Sequence, residues 1–184
     1  MFDLDRVIEG CRNGDSSMQR ALYERYSARF YALCRRYSNN DEEARDILSE
    51  GFIAVFESIG DYRGEGSFEG WMHTIFLRKA AFSYCQRQRV PEVYSLRDVE
   101  NGASVNDNTD FKIDVQEALV DVLRQLSDRE RCVINMVAIE EYSLREAAKL
   151  MQQPYNTVRS QYQRARERMR RLLRQRLGRN YLEN

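Results

Sequence analysis

Between Tyr155 and Arg179 the chain carries nine arginines (159, 164, 166, 168, 170, 171, 174, 176 and 179) against one acid, Glu167. A guanidinium group is planar and always charged, and its forked N–H donors match a phosphate or the major-groove edge of guanine. A helix that needed only solubility would mix signs. A basic surface helix with a solvated face is the plainer reading, but the one-sided charge favours nucleic acid. Asn156, Thr157, Ser160 and Gln163, interleaved with Arg159 and Arg164, are side chains that read base edges. Chemistry of other kinds has little support. The only histidine is His73, and Cys11, Cys34, Cys85 and Cys132 are scattered without a CxxC pair. There is no zinc spacing, Gly-rich phosphate loop or nucleophile elbow, so no catalytic residue, metal or cofactor is expected. The cysteines are expected as small buried hydrophobes.

The elements that must position these arginines can be read from Ser143 to Leu173. Ser143 with Glu146 three residues on forms a capping box. Leu144, Ala147, Ala148 and Met151 then recur at helical spacing. Gln152-Gln153-Pro154 breaks the pattern, with Pro154 placed as the first residue of the next helix. That helix keeps Val158, Tyr162, Ala165, Met169 and Leu173 on one side and turns its polar residues outward. Two helices with this break form a helix-turn-helix, whose second helix enters the major groove N-terminus first.

The 184 residues are 32% charged and sum to zero. Offsetting acid lies in the segment from Ser38 to Glu69, where nine acids face only Arg45 and Arg63. Opposite charge on separate stretches implies separate surfaces for separate partners. No apolar run is long enough to span a membrane, and no signal peptide is visible, so a cytoplasmic protein is expected. In chain order, a short first helix (Met1 to Gly14) precedes a longer one starting at Asp15–Ser16. A third, with Asp41 as its cap, buries Ala44, Ile47, Leu48, Phe52, Val55, Phe56 and Ile59. A glycine-rich loop, Gly60 to Ser67, leads to a helix from Phe68 to about Arg89 that mixes aromatics with Arg78, Lys79 and Arg87, a combination suited to single-stranded DNA. Residues 91–111 are rich in Ser, Asn, Asp, Thr and Gly and read as a flexible linker.

Several motifs carry a family resemblance. Thr157-Val158-Arg159-Ser160 with Arg164-Ala165-Arg166 resembles the promoter-reading domain of bacterial sigma factors of the extracytoplasmic-function (ECF) type. Two departures stand out: Gln152 takes the turn position usually held by glycine, and Gln161 stands where a basic residue is common. Asp46, Glu50 and Phe52 resemble the segment that grips the RNA polymerase clamp helices, with Ser49 in place of its glutamine. Gly70-Trp71-Met72 with Ile75 resembles the entry to the −10-binding helix, although Arg78 and Phe82 replace an asparagine and an aspartate. The resemblance implies −35 duplex contacts from Ser143, Arg145, Asn156, Thr157, Arg159, Ser160, Gln161, Gln163 and Arg164. It implies −10 contacts from Arg63, Phe76, Arg78, Lys79, Phe82, Gln86 and Arg87, and core polymerase contacts from Asp46, Ser49, Glu50, Phe52 and Phe56. Core RNA polymerase, promoter DNA and an anti-sigma factor are the partners it implies.

The expected fold is all-α: two small helical domains, 1–90 and 112–184, joined by the flexible linker 91–111, with the helix-turn-helix in the second. The expected function is that of an alternative sigma factor, not an enzyme. A regulator that binds DNA unaided, or a sigma mimic that binds none, are the competing readings. The first leaves the acidic helix and the basic-aromatic helix unexplained, and the second leaves the arginines so.

Overall fold

The computed structural model describes residues 2–87 and 115–177, which contain eight α-helices and no strand. The N-terminal domain comprises α1 (Leu4–Arg12), α2 (Ser16–Tyr37), α3 (Asp41–Ser58), a 3-10 turn (Ile59–Asp61) and α4 (Phe68–Arg87). The second domain comprises α5 (Val115–Arg124), α6 (Asp128–Ile134) running on as a π-helical turn (Asn135–Ile139), α7 (Leu144–Leu150) and α8 (Tyr155–Leu177). The expected linker lies outside the described residues.

Side-chain caps set most of the helix starts. Asp3, Asp15 and Asn40 accept backbone N–H bonds at the starts of α1, α2 and α3. The cap of α3 is thus Asn40, one residue before the expected Asp41: from an extended backbone its side-chain carbonyl accepts the Glu43 N–H at 2.8 Å. Ser127–Glu130 and Ser143–Glu146 both close complete capping boxes, each contributing about 1 kcal/mol to its helix. Pro154 precedes α8 instead of opening it, and its carbonyl accepts the Val158 N–H at 3.1 Å.

The core of the N-terminal domain is aromatic. Phe76 of α4 stacks on Phe30 of α2, with centroids 4.1 Å apart and planes 7° from parallel. Phe52 of α3 meets Phe76 edge-on at 5.2 Å. This arrangement requires a glycine, because a Cβ at Gly51 would lie 2.1 Å from the Phe76 ring. The second domain closes its core with Val122, Leu123, Val133, Ile134, Met136, Val158 and Ala165, all at most 1% exposed. Cys11, Cys34 and Cys132 are buried as free thiols, as expected. Burial pushes the Cys34 thiol up to about 12.

The two domains touch through the end of α2, the start of α3 and one side of α4. Arg35 grips Glu117 with two N–H donors, the longer contact 2.7 Å, and Arg124 pairs with Asp41. Arg131 donates to Asn39 Oδ1 at 2.6 Å, and the Asn135 amide donates to the Arg36 carbonyl at 2.8 Å. Glu140 accepts from Arg36 and from His73 Nε2, the latter at 2.8 Å. Burial pushes the Glu140 carboxyl up, but the His73 hydrogen bond and the Arg36 charge outweigh it, leaving it below its ordinary value.

A substitution tests the aromatic core. In an open helix Gly→Ala stabilises by about 1 kcal/mol. At Gly51 the added methyl overlaps the Phe76 ring, so Gly51→Ala is expected to destabilise by about 1–3 kcal/mol in urea unfolding. Gly60→Ala, which adds its methyl to open space, is the near-neutral comparison.

Candidate nucleic-acid interface

The basic helix α8 packs on α5, α6 and α7 through Val158, Gln161 and Ala165, all buried, with Tyr162, Met169 and Leu172 partly buried. The opposite side is left to solvent. Asn156, Thr157, Arg159, Ser160, Gln163 and Arg164 are all exposed over its first turns. Two arginines further along are spent within the domain: Arg168 pairs with Glu130 at 3.2 Å and Arg176 with Asp121 at 2.5 Å. Arg159, Arg164, Arg166, Arg170, Arg171 and Arg174 are exposed and make no ion pair among the described residues. The positive field of the helix is therefore directed outward.

Gln161 corrects the sequence reading. It is 5% exposed, because positions 158, 161 and 165 fall on one helical stripe that faces the core. Its side chain is not available to a base in this conformation. Ser143 and Arg145, at the start of α7, are exposed as expected.

The turn between α7 and α8 holds Gln152 at φ +53°, the left-handed region that glycine enters freely. The departure from glycine in the motif therefore leaves the turn geometry intact, at a conformational cost. Beside this turn lies an open hollow of about 800 Å³ lined by Arg145, Lys149, Gln152, Gln153 and Tyr155 among others. Lys149 and Tyr155, the latter 42% exposed, were missed in the sequence. Their common signal is position: both flank the break that brings the two helices together.

In the N-terminal domain, Phe76 requires a second correction. It is fully buried, one of the inward series Met72, Phe76 and Ala80 at i, i+4 and i+8, and so cannot stack on a base. Arg63 and Arg78 are exposed and Lys79 is partly so. The side chains of Phe82, Gln86 and Arg87 lie outside the described residues. The loop before α4 is more fixed than its glycines suggest. Gly64 and Gly66 adopt φ +76° and +80°. Tyr62 donates its hydroxyl to the Gly66 carbonyl at 2.9 Å and packs its ring against Phe68 and Trp71. Arg12 of α1 donates to the Tyr62 carbonyl at 2.6 Å.

On the acidic helix α3 the inward reading holds: Phe52 is 3% exposed and Phe56 packs against the same core, since both share the inward stripe with Leu48 and Val55. The polymerase contact that the resemblance implied for these two rings therefore has no exposed ring surface at Phe52. The outward stripe is Asp46, Ser49, Glu50, Ile53 and Glu57, all exposed. Ile53, 56% exposed, is the apolar member of this ridge that the motif reading passed over. Ser49 turns its hydroxyl back to the Arg45 carbonyl at 2.9 Å, so its only donor is used within the helix.

Residues 22–90 match the Sigma-70 region 2 family and residues 116–169 the Sigma-70, region 4 family. The chain is 30% identical over 172 residues to the ECF RNA polymerase sigma-E factor of Haemophilus influenzae, covering 88% of this chain and 90% of that one. The chain belongs to the ECF sigma factors. It is also similar to the ECF RNA polymerase sigma factor SigW of Bacillus subtilis, 26% identical over 182 residues, covering 93% of this chain and 97% of that one. Among solved structures, the sigma factor RpoE of Bartonella quintana in complex with the anti-sigma factor NepR shares the fold, with TM-score 0.52 and 20% identity over 84% of this chain and 96% of that one. Like its family, this sigma factor directs RNA polymerase to promoters.

Within this sigma factor the strained turn makes its own prediction. A non-glycine residue in the left-handed region costs about 1–2 kcal/mol, while glycine costs about 0.4–1 kcal/mol through a freer unfolded chain. Gln152→Gly is therefore expected to stabilise the protein modestly, by up to about 1 kcal/mol, as a higher midpoint in urea unfolding. A lowered midpoint would show that the Gln152 side chain contributes more than its backbone strain costs.

Proposed function

We propose a division of labour along the chain. The first turns of α8, with the start of α7, read the −35 element as duplex. The loop Gly60 to Ser67 and α4 hold one strand of the opened −10 element. The outward ridge of α3 docks on core RNA polymerase. The observation that carries this reading is the exposed face of α8, where base-reading side chains and unpaired arginines share one side of a helix whose other side is fully committed to the core. An ordinary solvated helix has no need of that segregation.

Residue roles follow from position. Arg159 and Arg164, near the N-terminal end, are placed for base edges. Arg170 and Arg171, farther along, are placed for phosphates. On α3, Asp46 and Glu50 supply charge and Ile53 an apolar anchor, the place the motif gave to Phe52. Arg63, Arg78 and Lys79 supply cations to the captured strand. The protein acts in the cytoplasm, where its polymerase and DNA are, and performs no catalysis itself. No helix among the described residues is long and apolar enough to cross a membrane. An anti-sigma factor is a further proposed partner, by analogy with the complex of the Bartonella protein.

Two experiments test the division. Arg159→Ala is expected to cost about 1–3 kcal/mol of promoter binding by the holoenzyme and to relax preference at one base pair. Arg170→Ala should weaken all promoter variants alike and lower the salt slope by about one. Identical profiles for the two variants would remove Arg159 from base reading. On α3, Asp46→Lys with Glu50→Lys should weaken assembly with core polymerase at least tenfold, since like charges across an interface cost several kcal/mol. Helical content should be unchanged, because both side chains face solvent. Undiminished assembly would move the docking surface elsewhere on the domain.

A further inference from the structure

Helix α1 carries none of the contacts proposed with polymerase or DNA, and it precedes the region 2 match, which begins at residue 22. It is nonetheless firmly seated. Val7, Ile8 and Cys11 are buried, and the helix packs on α2 and on the 3-10 turn that follows α3. From its last turn the Arg12 side chain reaches the root of the glycine-rich loop. Nη2 donates to the Tyr62 carbonyl at 2.6 Å and Nε to the Ile59 carbonyl at 3.5 Å, while Nη1 donates to Glu9 Oε2 at 3.2 Å. The two carbonyls stand where the helical backbone ends, the end at which a cation is favoured. One planar fork thus ties α1 to the point where the chain leaves α3 for the loop.

The rest of the loop is built on that point. Tyr62 lays its ring against Phe68 and Trp71, at centroid distances of 5.0 and 5.4 Å, and donates its hydroxyl to the Gly66 carbonyl at 2.9 Å. At the far end Ser67 Oγ accepts the Gly70 N–H at 3.0 Å, at the start of α4. Between these anchors Arg63, Gly64, Glu65 and Gly66 are exposed, and both glycines hold left-handed backbone. Glycine leaves a segment many conformations, so contacts at its ends must select one. Tyr62 makes such contacts with its side chain, and its backbone is set by Arg12.

We propose that Arg12 is a positioning residue for strand capture. It fixes the backbone of Tyr62, through Tyr62 the shape of the loop, and so how readily the loop takes hold of the opened −10 strand. Arg12 acts here through the geometry of its hydrogen bonds and touches no DNA. The positioning stands on the contacts; its effect on strand opening rests on the reading of the loop given above.

The test compares Arg12→Ala and Arg12→Lys with Arg20→Ala, which removes a cation from an exposed pair with Glu24 on α2. The bond after Arg63 gives trypsin a site inside the loop, and its cleavage in the free full chain tracks the population of the open loop. Hydrogen bonds from a charged group shift such an equilibrium by about tenfold or more. Cleavage after Arg63 should therefore rise about tenfold in Arg12→Ala, with cleavage within α2 and helical circular dichroism unchanged. Arg12→Lys keeps the charge without the fork and should behave like Arg12→Ala, whereas Arg20→Ala should match the wild type. In the holoenzyme both Arg12 variants should form the closed promoter complex with wild-type affinity and salt slope, yet open it about tenfold more slowly, followed by permanganate reactivity of unpaired thymines. Unchanged cleavage after Arg63, or cleavage raised equally along the chain, would overturn the positioning. A salt slope lowered in Arg12→Ala and restored in Arg12→Lys would make Arg12 a phosphate contact instead. Gly64→Val with Gly66→Val distorts the loop directly and separates the two claims. Slow opening in that variant with normal opening in both Arg12 variants would remove Arg12 from strand capture. Normal opening in the glycine variant would refute the reading of the loop and leave the positioning decided by the cleavage data.

Discussion

The N-terminal domain depends on one close approach: the Phe76 ring lying against the bare backbone of Gly51 while stacked on Phe30. This contact joins α2, α3 and α4 at a single point and so fixes their rotations. Once Phe52 and Phe76 are turned inward, the helical repeat forces Asp46, Glu50 and Ile53 outward, each about one turn from the next along α3. The same rotation of α4 directs His73, Thr74 and Arg78 toward the second domain. Aromatic packing adds about 0.5–1.5 kcal/mol per pair beyond area, yet its larger effect here is orientational. A shift of α4 by one residue would swing its faces by about 100° and lose both the core and the His73–Glu140 contact.

In the second domain the corresponding constraint is the short break between α7 and α8. The reading helix is aimed by the cap at Ser143, the left-handed turn at Gln152 and the seating of Val158 and Ala165. Gln161 is on the inward stripe because the helix repeat leaves no other place for it. The π-helical turn Asn135–Ile139 leads into Glu140, so the element that supports the helix-turn-helix also delivers the carboxylate to the neighbouring domain.

Much of this architecture was legible from residue order. Ser127–Glu130 and Ser143–Glu146 announce their helices because a capping box is a local, reciprocal arrangement that needs no tertiary partner. The outward set on α8 followed from spacing alone. The misplacements at Phe76 and Gln161 have a shared cause: residue type was allowed to outweigh position on a stripe. An aromatic suggests stacking and a glutamine suggests base contact, but 72–76–80 and 158–161–165 are both core spacings. The domain contacts were beyond reach for a different reason. Arg36 and Glu140 are 104 positions apart, and no local pattern tells one surface arginine from another.

The polarity of those contacts bears on which surfaces the domain packing leaves free. Taken as a whole, the acid-rich segment lies in the N-terminal domain and the arginine-rich helix in the second, so the simplest closure would press α3 against α8 and neutralise both. The structure does otherwise. Arg35 and Arg36, at the C-terminal end of α2 where cations also complement the helix dipole, meet Glu117 and Glu140 of the second domain. Asp41–Arg124 runs in the opposite sense. The arginines that end α2 and the glutamates of the second domain help hold the domains together, while the acidic ridge of α3 and the first turns of α8 remain on the outside. A packing built in this way keeps the acidic ridge and the basic face available to separate partners, which a packing made from those surfaces would have consumed.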